Sequence, residues 1–143
     1  MLKDLFNKKS KLVINTTDNI ERYCPRDYRV TVSSIAYDAQ KFIRDYLSEP
    51  NNGYMKDELS VSLTISDGYK TLFILTALQF RETMETKNAY VNKLSYRFAK
   101  GKYPVTVRIG VYVKNRNRGT DRAYQLYEAI ERVLTRKYGK NNA

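Results

Sequence analysis

The chain has 143 residues, 42% of them hydrophobic and 13% aromatic, enough to build one packed domain and too much for wholesale disorder. It has no histidine and one cysteine, Cys24, which excludes Ser-His and Cys-His nucleophile pairs, an intramolecular disulfide and a Cys-rich metal cluster. Twenty-six Lys and Arg stand against fifteen Asp and Glu, a formal net charge of +11, so an anionic partner is the first expectation.

From the N-terminus, Met1-Leu-Lys-Asp-Leu-Phe-Asn-Lys-Lys-Ser10 breaks into charge before a signal-type apolar run can form, and no apolar run reaches the ~18–20 residues of a membrane span. A cytoplasmic, non-membrane protein is expected. Residues 1–10 read as a polar arm, 11–139 as a single domain and 140–143 as a C-terminal tail. Lys11–Asn15 suits a short strand, and Tyr28–Ser33 has the β-branched content of another, or leads straight into the helix that follows. Cys24 reads as a small, half-buried apolar residue.

Ile35, Ala39, Phe42, Ile43, Tyr46 and Leu47 recur at three- and four-residue steps, the stripe of a helix that Ser33 or Ser34 can cap and that Pro50-Asn-Asn-Gly53 ends. Leu59, Val61, Leu63 and Ile65 then alternate with Ser60, Ser62, Thr64 and Ser66, the period of a strand with one buried face. Asp67-Gly68 signals a hairpin. The return strand, about Tyr69–Phe80, is apolar on both faces and therefore belongs near the middle of a sheet. Arg81–Asn88 is polar and reads as a loop, or as the flared end of the hairpin. Strands follow at about Ala89–Phe98 and Tyr103–Lys114, joined by Ala99–Lys102, and on the latter Val105, Val107, Ile109, Val111 and Val113 share one face. Asn115–Thr120 reads as a basic loop. Thr120 opens a last helix with the stripe Ala123, Leu126, Tyr127, Ile130, Val133 and Leu134, a Glu128–Arg132 pair on its wet side and Gly139 as its stop. The expected fold is α+β: a four-stranded antiparallel β-meander with one helix before it and one after it, plus a short additional N-terminal strand. Both helices lie on one face, leaving the other open.

The charge is uneven. Positions 101–143 hold ten basic and three acidic residues, against nine and seven in 1–50 and seven and five in 51–100. Between Glu85 and Asp121 there is no carboxylate, and nine basic residues occupy the interval: Lys87, Lys93, Arg97, Lys100, Lys102, Arg108, Lys114, Arg116 and Arg118. Tyr90, Tyr96, Tyr103 and Tyr112 are interleaved with them. Alternation puts Arg108, Tyr112 and Lys114 on one strand face, and Lys93 with Arg97 on another, opposite Tyr90 and Tyr96. Such a surface neutralises phosphates with Lys and Arg and stacks bases on tyrosine. The expected nucleic-acid contacts are Lys93, Arg97, Lys100, Lys102, Arg108, Tyr112, Lys114, Arg116 and Arg118, the last two beside a helix N-terminus that also favours phosphate.

Other constellations carry less. Glu85-Thr-Lys87 matches half of a metal-nuclease pattern but sits in a polar stretch, and Asp67 is accounted for by its turn. Asp38 and Asp45 share a helix face, the wet one, and Asp57-Glu58 reads as surface charge. Gly-rich phosphate loops, nucleophile elbows and dinucleotide fingerprints are absent. No catalytic residue, metal site, cofactor or small-molecule substrate is expected.

The order of elements is similar to three architectures, by order alone. Four antiparallel strands followed by a helix resembles the Whirly and transcriptional-coactivator type of single-strand binders. A helix, a sheet and a basic segment opening a last helix resembles double-stranded-RNA-binding domains, which have three strands and a lysine-rich helix start that this chain lacks. Two helices flanking a four-stranded meander resembles the ring-forming tail-terminator and head–tail joining subunits of tailed phages. No functional residue is carried over from any of them. The leading expectation is a non-catalytic nucleic-acid-binding module, for single strands before duplexes, that also self-associates. The alternative is a self-assembling structural subunit, such as a phage head–tail connector or tail-terminator-like ring protein located in the virion.

Overall fold

The computed structural model describes residues 12–48, 59–79, 89–97, 103–113 and 116–139. Five strands form one antiparallel sheet: β1 (Val13–Asp18), β2 (Leu59–Ser66), β3 (Thr71–Leu78), β4 (Ala89–Arg97) and β5 (Pro104–Val113). Three helices accompany it: a single turn α1 (Ile20–Tyr23), then α2 (Arg29–Ser48) and α3 (Arg116–Tyr138), with a 3₁₀ turn at Arg26–Tyr28 leading into α2.

Alternation on β2, β3 and β5 decides the layering. Val61, Leu63 and Ile65 on β2, Phe73, Leu75 and Ala77 on β3, and the five odd-numbered residues from Val105 to Val113 on β5 are all buried. They meet the inward stripes of α2 (Val32, Ile35, Ala36, Ala39, Ile43, Leu47) and α3 (Ala123, Leu126, Tyr127, Ile130, Leu134) in one continuous core. Each aliphatic side chain taken wholly out of water contributes roughly 1.5–3 kcal/mol, so this face dominates stability. Both helices pack there, α2 over β2 and β3, α3 over β4 and β5. The opposite face carries no helix among the described residues.

The strand order is β1-β3-β2-β5-β4, which corrects the expected meander. Consecutive strands pair in the β2–β3 and β4–β5 hairpins, but β3 is not beside β4; instead β2 pairs with β5, Leu59 opposite Val113 through Ser66 opposite Thr106. Residues 79–88 are long enough for the chain to cross rather than turn back, and β5, apolar along its whole inner row, takes an interior place. β3 lies between β1 and β2, as its apolar composition demands.

Helix starts differ from expectation as well. The β-branched run at 30–33 is helical, α2 beginning at Arg29, because Val32, Ile35, Ala36 and Ala39 repeat at helical spacing and pack on the sheet while Val30 is left 78% exposed. α3 begins at Arg116, so the expected 115–120 loop is helical from that residue onward. Arginine is a good helix former, and Gly119 costs only ~1 kcal/mol against alanine, less than the packing of a long amphipathic helix returns. Val133 points away from the core at 36% exposure, Glu128 and Arg132 are exposed without an ion pair between them, and Cys24 is fully rather than half buried.

Three polar tethers fix the layers. Asp38, expected on the wet face of α2, is half-buried and accepts from the Tyr138 hydroxyl and, at 3.0 Å, from Lys137 Nζ, joining α2 to the end of α3. Gln79 Nε2 donates to the Leu47 carbonyl at 2.9 Å, holding the end of β3 against the end of α2. Asp67 organises the β2–β3 turn: its Oδ1 accepts the amides of Tyr69 (3.0 Å) and Lys70 (2.8 Å), and its Oδ2 accepts the Tyr103 hydroxyl at 2.7 Å. Tyr103 in turn stacks on Tyr28, with ring centroids 4.7 Å apart. Gly68, at φ +96°, supplies the left-handed backbone the turn requires.

Partial burial pushes the carboxyl of Asp67 up, but hydrogen bonds from the Lys70 amide, the Tyr103 hydroxyl and the Tyr69 amide outweigh it and hold the group below its ordinary value. A carboxyl lowered by folding contributes stability that is present above its unfolded value, about 3.9, and lost as pH falls through the folded value. Urea midpoints measured from pH ~6 downward are therefore expected to fall more steeply below pH ~4 in the wild type than in Asp67→Asn; equal slopes would remove Asp67 from the acid response.

Candidate nucleic-acid interface

The face of the sheet away from the helices is read row by row from the register. One row crosses Thr17, Ile74, Thr64, Arg108 and Lys93; the next crosses Asn15, Thr76, Ser62, Gly110 and Val91; a third crosses Val13, Leu78, Ser60, Tyr112 and Ala89. Ser66, Thr106 and Ser95 continue the pattern, and Arg97 lies opposite Pro104 at the end of β4. Small hydroxyl and amide side chains fill the middle, and the cations gather on the β5–β4 side.

Arg108 and Arg97 are both exposed. Lys93 occupies the β4 position directly opposite Arg108, where Cα atoms of an antiparallel pair lie ~4.5–5.5 Å apart. Arg97 is four residues farther along β4, ~13 Å at the strand rise. The open face of the described strands carries no carboxylate: the acid on β1, Asp18, stands at the Phe73 position of the other face and accepts the Ile20 amide at 2.9 Å.

Tyr112 is half-buried, and its ring leans back along β5 over Gly110. A Cβ placed on Gly110 would meet the Tyr112 hydroxyl oxygen at 3.0 Å and the ring carbon that bears it at 3.3 Å. Glycine here has a steric purpose: it lets an aromatic ring rest on the strand with one side against the backbone. Beside it Ser60, only 4% exposed, has a hydroxyl oxygen with no hydrogen-bond partner among the described residues.

The interleaved tyrosines divide by face. Tyr96 is 1% exposed in the core and packs edge-on against Tyr138 at 6.2 Å, and burial raises its hydroxyl pKa. Tyr103 is taken by Asp67 and Tyr28. Among the four, Tyr112 alone has a described ring on the open face. Arg116 and Arg118 lie in the first turns of α3, not in a loop; for them and for Lys93 the backbone position alone is described. Lys100, Lys102 and Lys114 lie outside the described residues, as do Asp57, Glu58 and the Glu85-Thr-Lys87 pattern. The described residues hold no group of three metal-ligating side chains and no helix long and apolar enough to cross a membrane.

Sequence alternation finds Arg97, Arg108 and Tyr112. It misses the strand order that sets β2 hydroxyls beside β5, and it misses the Gly110–Tyr112 pairing, for which a glycine two residues from an aromatic on a strand face is the available signal. No protein-family model, curated protein or solved structure matches the chain.

Gly110→Ala is expected to lift the Tyr112 ring from the strand. Only the far end of a flexible side chain must move, so the melting temperature should drop by a few degrees at most, while the Tyr112 ring-proton chemical shifts change in NMR spectra. Unchanged shifts would show that the ring does not rest there.

Proposed function

We propose that the protein is a non-catalytic module that binds single-stranded nucleic acid across its open sheet face. The observation that carries this reading is the combination of Arg97, Arg108 and a half-buried Tyr112 ring set over Gly110 on a sheet face whose described strands hold no carboxylate. Arginines neutralise phosphates and release counterions, giving affinity without sequence preference. A tyrosine ring resting on glycine is ordered before a base arrives, so stacking on its outer side costs little side-chain entropy. The hydroxyls of Ser62, Thr64 and Thr106 both donate and accept, and so suit the varied edges of unpaired bases. Single strands are favoured over duplexes because an unpaired base offers its π-face to Tyr112, whereas duplex bases are already stacked on one another.

A second reading has its own observation. The β1–β3 side of the open face is uncharged and apolar in part, with Val13 46% and Ile74 36% exposed. This half suits contact with a second copy of the chain, as in a self-assembling ring subunit, and is compatible with nucleic acid on the basic half. Ile74→Lys would then reduce the oligomer to monomer in sedimentation.

Fluorescence anisotropy of labelled oligonucleotides across several salt concentrations tests the first reading. Arg97→Ala with Arg108→Ala is expected to weaken binding and to reduce the magnitude of the log K against log[salt] slope by about 1.4, two contacts at the single-strand coefficient. Tyr112→Ala is expected to cost about 1–3 kcal/mol with the slope unchanged. Absence of binding near ~50 mM salt, where such contacts are strong, would overturn the proposal.

A further inference from the structure

The end of the sheet where β2 turns into β3 carries side chains that neither the core nor the open face uses. Asp67 makes this turn rigid through two backbone amides and the Tyr103 hydroxyl. At its apex Tyr69 is 95% exposed. Turn geometry asks for Gly, Asn, Asp or Ser at such a place and has no use for a ring, and tyrosine left in water forgoes the burial for which aromatic residues are otherwise retained.

The next residue, Lys70, places its Nζ 4.5 Å from the centroid of the Tyr23 ring, and the guanidinium carbon of Arg22 lies 5.2 Å from the same centroid. An aromatic face holds a cation in place without neutralising it. Among the described residues neither Lys70 nor Arg22 is ion-paired. Among the described residues Asp18, Glu21 and Asp67 form no ion pair with either cation, Asp18 and Asp67 accepting from amides and a hydroxyl instead. Two cations that are not ion-paired among the described residues thus share the Tyr23 ring, one of them adjacent in the chain to the exposed Tyr69.

Their position is the turn end of the sheet, where β1 also runs into α1. The β2–β3 turn, Tyr103 and the Arg97–Pro104 pair all lie at the same end of the sheet. Between β3 and β4 stand β2 and β5, so three strand spacings, ~14 Å, separate the Lys70 side from the Arg97 side.

We infer that the hairpin tip, Tyr69 and Lys70 with Arg22 and Tyr23 of α1, is a second contact site for single-stranded nucleic acid, with Tyr69 stacking on one base and Lys70 and Arg22 taking adjacent phosphates. The inference rests on the open-face reading and deepens it: the strand leaves the sheet past Arg97 and Ser66 and ends on the tip. Asp67 acts here as a positioning residue, since its two amide bonds aim Tyr69 and Lys70.

The chain contains no tryptophan, so Tyr69→Trp in the full protein creates a single reporter at an exposed position that the fold does not need. An oligothymidine strand of about twelve nucleotides, within the site sizes known for single-strand binding folds, is titrated and followed by tryptophan emission and by the anisotropy of an end label in parallel. The expected result is quenching that saturates over the same concentrations as the anisotropy rise, together with an about tenfold weaker affinity in Tyr69→Ala. Asp67→Asn should weaken the quench more than the anisotropy. An anisotropy rise that Arg97→Ala and Arg108→Ala abolish, with unchanged emission, would overturn the tip site and leave the open-face reading standing. If no anisotropy change occurs, both readings fall.

Discussion

Burial of a single sheet face is the constraint on which the other features depend. The inward rows of β2, β3 and β5 are apolar without a break, and two long helices are needed to cover them. Both long helices lie on one side, so among the described residues the opposite face is made of strand residues alone. That face mixes serine, threonine, arginine and one tyrosine with asparagine and the apolar Val13, Ile74 and Leu78 on the β1–β3 side. The absence of a helix from that face, among the described residues, follows from the arithmetic of layers before any function is considered.

Acidic residues are treated differently from basic ones. Asp18, Asp38 and Asp67 each accept hydrogen bonds inside the fold, at a helix start, between two helices and within a turn. Among the described residues, the arginines of the open face and the cations around Tyr23 make no such bond. The carboxylates of these three residues are consumed as structural acceptors while Arg97, Arg108, Arg22 and Lys70 keep their charge facing outward. Net charge alone reports a surplus of cations; hydrogen bonding explains why the surplus is felt at the surface.

Much of the fold was legible because the strand signal was clean. Period-two alternation over 59–66 and 104–113 marked β2 and β5 and even their inward residues, and the stripe from Ile35 to Leu47 marked α2. Pairing was not legible: alternation identifies a strand and its faces but carries nothing about its neighbour, so the β2–β5 seam was missed. The start of α2 was obscured because Val30, Thr31 and Val32 favour strands locally, a preference that core packing of Val32 overrides. The start of α3 was hidden by Asn115, Asn117 and Gly119, which look like loop residues one at a time. Alternation put Arg108 opposite the buried row of its strand and Arg97 opposite Tyr96, but not the two on one common face, and the placing of Gly110 beneath Tyr112 depends on a rotamer that composition does not encode. The Tyr103–Asp67 bond was not legible either, since the two residues lie 36 positions apart in the chain.

The strand order also bears on how the molecule assembles in time. The β2–β3 and β4–β5 hairpins are local and can close early, because little loop entropy opposes them. The β2–β5 seam joins Leu59 to Val113 across a large stretch of chain, and β1 can dock only once β3 offers its free edge. Seam closure costs more loop entropy than either hairpin, and it brings the hydroxyl-bearing hairpin beside the arginine-bearing one. Each hairpin alone holds half of the open face. The complete surface comes into existence in a single cooperative event, so a chain caught before that event presents cations without the platform that would direct them.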